Sequence, residues 1–137
     1  MSAQISTNDE TNQPSFITIY YDQENTQLKE KYFQINGKKD GEYIMNFENG
    51  NPYEISNYVD GIRNGQYQDF YNNGHLHRVC NYVDGKIVGE YKSYFPDGDL
   101  KHIIRFENGE KVELLYEFLM VDALDDMYMY EVNHIVG

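Results

Sequence analysis

Three series of glycines recur at one interval along this chain, and that interval restricts the fold more than any other feature of the sequence. Gly37, Gly61, Gly85 and Gly109 stand 24 residues apart, Gly41, Gly65 and Gly89 keep the same step, and so do Gly50, Gly74 and Gly98. A fixed period in the range of about 20–50 residues marks a chain built by stacking copies of one supersecondary unit. The aromatics keep step with the glycines. Tyr43, Tyr67 and Tyr91 form one row, Phe47, Tyr71 and Phe95 a second, and Tyr58, Tyr82 and Phe106 a third. A fourth row, Leu28, Leu76 and Leu100, is interrupted by Pro52. The first copy diverges most: Thr26 stands where glycine is expected, Gln34 replaces the third-row aromatic, and Tyr21 implies a small insertion. An array needs a divergent unit at its end, because the terminal copy has no neighbour to cover it.

The turns within each copy are legible. Asn49-Gly50, Asp60-Gly61, Asn73-Gly74, Asp84-Gly85, Asp97-Gly98 and Asn108-Gly109 are dipeptides that tolerate positive φ in tight hairpins, and each lies between two aromatic-rich runs. Strands are expected over residues 41–48, 52–59, 65–72, 75–83, 89–95 and 100–107, with a weaker pair near 16–22 and 28–35. Short turns make consecutive strands antiparallel. The fold class is therefore all-β, an elongated antiparallel meander of four 24-residue hairpin repeats.

Alternation assigns the faces: Tyr43, Met45 and Phe47 share one side, as do Tyr67 and Tyr71, and Tyr91 and Phe95, whereas Glu42, Gln66, Glu90 and Lys92 point the other way. On the returning strands, Leu76, Cys80 and Tyr82 share a face, as do Leu100, Ile104 and Phe106. With two strands per copy, four copies extend about 40 Å. One apolar face of such a sheet needs cover, and residues 112–137 are expected to cap it. Residues 113–124 fit a strand or an amphipathic helix equally well. Residues 1–15 are polar and aperiodic and are expected to be unstructured, leaving 16–111 as the array.

Charge narrows the partners. Eleven Lys and Arg against 23 Asp and Glu give a net charge of −12. Such a surface repels phosphate backbones and anionic lipid, which argues against nucleic acid and membrane as direct ligands, and it attracts a basic protein. A single cysteine, Cys80, excludes an internal disulfide framework. No stretch resembles a signal peptide, and no apolar run reaches the ~20 residues a spanning helix needs. A soluble, cytoplasmic protein is expected.

The copy running from Gly65-Gln66-Tyr67 through Phe70-Tyr71-Asn72-Asn73-Gly74-His75-Leu76, with its partner Gly89-Glu90-Tyr91 through Tyr94-Phe95-Pro96-Asp97-Gly98-Asp99-Leu100, resembles the variant MORN-repeat family over residues 19–111. That resemblance implies β-hairpin arrays used as interaction scaffolds. Some bacterial members are antitoxin or immunity-type proteins, and ordinary MORN repeats are linked to membrane-associated scaffolding. It implies no catalytic residue.

His75-Leu76-His77 with Cys80 invites a metal site, but alternation places Cys80 with Leu76 and opposite the histidines, and His102 and His134 are distant in sequence. Cys80 shares its repeat position with Ser56 and Ile104, which marks it as a packing residue. The glycines of Gly37-Lys38-Lys39-Asp40-Gly41 and its copies lack the Gly-Lys-Ser/Thr of a phosphate loop and read as turn glycines. Asp60, Asp84 and Asp97 fall in turns, and Glu42 and Glu90 on the solvated face. No catalytic residue, cofactor or metal is expected. The expected function is a protein-binding scaffold with Phe70 and Tyr94 as exposed contact aromatics. The alternatives are an immunity protein against a basic toxin and a membrane-associated scaffold. The two open sheet edges also permit a homodimer through one end.

Overall fold

The computed structural model describes residues 4–6, 13–119 and 128–130. All its regular structure is β: β1 (Gln4–Ser6), β2 (Ser15–Tyr20), β3 (Leu28–Ile35), β4 (Lys38–Asn46), β5 (Pro52–Val59), β6 (Ile62–Arg63), β7 (Gly65–Phe70), β8 (Leu76–Val83), β9 (Lys86–Tyr94), β10 (Leu100–Glu107), β11 (Glu110–Leu119) and β12 (Tyr128–Tyr130). They form one sheet in chain order, each strand antiparallel to the next, with the short β6 pairing β5 beside β7. The meander read from the glycine period is the architecture.

Two chemically different turns build it. Asn36-Gly37, Asp60-Gly61, Asp84-Gly85 and Asn108-Gly109 have both residues at positive φ, between 50° and 88°, the conformation of a type I′ hairpin whose twist matches its strands. At the other end of the sheet only the glycine is left-handed, with Gly50, Gly74 and Gly98 at φ 94°, 96° and 99°. There the glycine N–H donates to the carbonyl of Phe47, Tyr71 or Phe95, three residues back, at 3.0, 3.0 and 2.9 Å. These are type I turns closed by a glycine bulge, so the six dipeptides are not one kind of turn. Asn49, Asn73 and Asp97 fix the type I turns by accepting the N–H of the residue two further on.

The series of Gly41, Gly65 and Gly89 does something the sequence reading did not assign to it. β4 and β9 begin at Lys38 and Lys86 and run through Gly41 and Gly89 rather than starting there. With φ at 101° and 78°, these glycines bulge the strand while pairing continues around them.

Neighbouring repeats are stitched at both ends. Gly61, Gly85 and Gly109 donate their N–H to the carbonyls of Lys39, Arg63 and Ile87 at 2.8, 2.8 and 2.9 Å. At the other end, Asn49 and Asn73 side chains donate to the carbonyls of Asn72 and Pro96. The first copy joins the same scheme: the Tyr21 hydroxyl donates to Asn46 O and the Tyr71 hydroxyl to Tyr94 O, each at 2.8 Å. Asn46 and Tyr94 are two repeats apart, so Tyr21 fills the position of Tyr71 displaced by a short insertion.

The C-terminal segment lengthens the sheet over its described part. β11 pairs with β10, and β12 pairs with β11, which resolves residues 113–119 of the strand-or-helix alternative as strand. The remainder of the expected cap, 120–127 and 131–137, lies outside the described residues. So does most of the segment expected to be unstructured, although Gln4–Ser6 within it pairs with β2.

Candidate functional site

Register across the sheet assembles a line of side chains that the linear sequence scatters. Glu30, Met45, Glu54, Asp69, Arg78, Ser93, His102 and Glu117 are successive cross-strand partners from β3 to β11. They lie on one face, between two lines of rings. Toward the type I′ turns run Tyr32, Tyr43, Tyr58, Tyr67, Tyr82, Tyr91 and Phe106, with neighbouring centroids 5.7–6.0 Å apart within hairpins. Toward the type I turns run the pairs Phe47–Tyr53, Tyr71–His77 and Phe95–Phe118, at 5.0, 4.4 and 5.4 Å.

Three residues of this line, Glu54, Asp69 and Ser93, are buried, and the most buried residue beside it, Ser56, is polar as well. Ser56 is 1% exposed, Asp69 3%, Ser93 7% and Glu54 9%, against Cys80 at 4% and Tyr43 at 7% among the apolar residues. Buried carboxylates need partners, and each has them. Glu54 Oε2 accepts from Ser56 Oγ at 2.8 Å and Arg63 Nη2 at 2.9 Å. Asp69 Oδ2 accepts from the Tyr67 hydroxyl at 2.8 Å and Arg78 Nε at 2.9 Å. The Tyr43 hydroxyl donates to Glu30 Oε1 at 3.0 Å. Burial, reinforced by these carboxylates, pushes the Tyr43 and Tyr67 hydroxyls far above the ordinary tyrosine range.

Cations interleave the first ring line. Lys39 Nζ stands 4.7 Å from the Tyr43 centroid and also over Tyr32 and Tyr58, and the Arg63 guanidinium lies 5.1 Å from Tyr67 and over Tyr58 and Tyr82. Both occupy the second position after a type I′ glycine, where the ring quadrupole attracts positive charge.

Sequence reasoning missed the polar line, although its parity was available: Asp69 lies between Tyr67 and Tyr71 and must share their side. Other expectations need correction. Phe70 and Tyr94 are half-buried rather than exposed; the open large apolar residues are others, led by Phe16 at 58%, Val59 at 52% and Ile62 at 51%. His77 is not opposite Cys80. A bulge at Asp69/Phe70 breaks the alternation, so His77 Nδ1 comes 3.4 Å from Asp69 Oδ1, on the face that carries Cys80. Burial, the largest influence on His77, lowers its pKa. His75 sits at the type I turn beside Gly98, while His134 lies outside the described residues. Cys80 is buried and its thiol is pushed up to about 11 by burial, which makes it a poor nucleophile. Among the described residues, no three His, Cys, Asp or Glu side chains are grouped to hold a metal ion.

The MORN repeat variant model matches residues 39–60, 63–84 and 87–108. This chain belongs to the variant MORN-repeat family. Each matched MORN unit is one hairpin around a type I turn, and the type I′ turns are the junctions between units. The first copy falls outside the match, yet β2 and β3 form the same kind of hairpin and pair onto the first matched unit. No curated protein matches the chain significantly. Variant MORN repeats are interaction repeats in general and generally carry no catalysis.

Proposed function

We propose that this chain is a protein-binding scaffold whose partner is a basic protein, engaged by the aromatic face of the MORN array. The observation that supports this most is the combination of a −12 charge with rings along one face that flank a polar row carrying Glu30, Glu54, Asp69 and Glu117. Aromatic side chains supply contact area at low entropic cost, and an acidic field accelerates encounter with a basic surface. The side chains there serve packing and recognition rather than bond chemistry: Glu54 and Asp69 are tied to arginines, and Cys80 is held as a thiol. Affinity capture by the tagged chain from its native lysate, at low and at high salt, tests the reading. A basic protein retained stoichiometrically at low salt and released at high salt is expected; recovery of a partner indifferent to salt overturns the electrostatic part.

The same charge favours a second reading, in which the basic partner is a toxin that the chain neutralises. A stoichiometric complex that abolishes the partner's activity separates this from a passive scaffold. Membrane scaffolding predicts flotation with anionic liposomes; with this charge no flotation is expected. A buried free thiol fits a reducing, cytoplasmic setting. The outermost described strands are three residues each, which limits edge-to-edge pairing, so light scattering is expected to give a concentration-independent mass near 16.2 kDa.

A further inference from the structure

One repeat position carries two kinds of residue. Lys29, Tyr53, His77 and Lys101 are 24 residues apart, and each stands against the ring that precedes its type I turn or loop. In the outer copies that residue is a cation on a ring: Lys29 Nζ lies 5.5 Å from the Tyr21 centroid and Lys101 Nζ 5.5 Å from that of Phe95. In the two middle copies it is itself a ring, Tyr53 on Phe47 and His77 on Tyr71. Between those middle pairs opens a cleft of about 430 Å3 whose walls include Phe47, Tyr53, Tyr71, His77, Asp69 and the Arg78 that pairs with Asp69.

Asp69 gives the cleft its polarity. Its side chain is 4% exposed, and while Oδ2 is held by Arg78 and Tyr67, Oδ1 has no hydrogen-bond partner. His77 Nδ1, at 3.4 Å, is the basic atom facing it, and burial lowers the pKa of the ring. The nearby cations are already engaged, Arg78 with Asp69 and Lys101 with Phe95.

We propose that this cleft receives the ammonium group of a lysine side chain presented by the partner, over Tyr53 and Tyr71 as Lys29 and Lys101 stand over their own rings, with the half-paired carboxylate of Asp69 behind His77 supplying negative charge. The inference rests on the reading of a basic protein partner. Ring faces attract a cation and do little for an uncharged chain of equal length, so the cleft discriminates on charge.

Nuclear magnetic resonance titration of the full chain with Nα-acetyl-lysine methylamide, against the uncharged Nα-acetyl-norleucine methylamide, tests it. Saturable shifts of the Tyr53, Tyr71 and His77 ring signals are expected with the lysine compound, and binding about tenfold weaker with norleucine. His77→Lys places an in-chain ammonium where repeat four already tolerates one, so it is expected to fold and to lose the response. Tyr53→Leu is expected to weaken it about tenfold. Equal responses to both compounds, a flat titration, or an undiminished response in both variants overturns the cleft, whatever affinity capture shows. A charge-selective titration with no basic protein captured overturns the partner reading alone.

Discussion

Asp69 is the residue on which the centre of the sheet turns, since one carboxylate oxygen satisfies both the Tyr67 hydroxyl and the Arg78 guanidinium. Asp69→Ala would leave a half-buried guanidinium and a buried hydroxyl without their acceptor. A loss of about 3 kcal/mol in urea-monitored stability is expected. Cys80 makes a prediction about pH. Its thiol rises from 9.0 to about 11 on folding, so the folded chain favours the neutral form. Stability from this source is intact below pH 9 and falls as pH rises towards 11, and the raised Tyr43 and Tyr67 hydroxyls add to the loss above pH 10. Urea midpoints should decline across that window, and a thiol reagent should label Cys80 slowly in the native chain and quickly in urea. Residues of this kind were the least legible in the sequence. Glu30, Glu54, Arg78 and His102 share one repeat position but not one chemistry, so a search for recurring residue types passes over them.

At the level of turns and strands, the sequence was a better guide, because glycine at positive φ leaves the same residue at the same spacing. The bulges were less visible, since a bulge changes parity without changing composition; that is why His77 lies on a face that strict alternation denied it. Turn and bulge glycines differ in what they tolerate. Gly85 has φ 85° and an added Cβ would come 3.2 Å from Ile62 Cγ2, whereas Gly89 has φ 78° and open space around it. Gly89→Ala therefore meets backbone strain alone, about 1 kcal/mol, and Gly85→Ala adds crowding, about 2 kcal/mol. Thermal melts of the two variants would check the order.

For the whole molecule, each hairpin touches its neighbours and little else, and stability is carried by repeat junctions such as the Gly61, Gly85 and Gly109 hydrogen bonds. The same regularity gives one face lines of rings on either side of a mixed polar row, the feature that makes a scaffold of the array. The period revealed that the rows existed, while the cross-strand register that sets Glu54 beside Asp69 required the structure. The measurement that bears most directly on this account is the affinity of the captured basic partner for the native chain, for Tyr53→Leu on the aromatic face and for Gln68→Ser on the opposite face. The account predicts that Tyr53→Leu weakens binding about tenfold and that Gln68→Ser leaves it unchanged, with affinity falling as salt rises. Loss of binding in Gln68→Ser with full retention in Tyr53→Leu would contradict it.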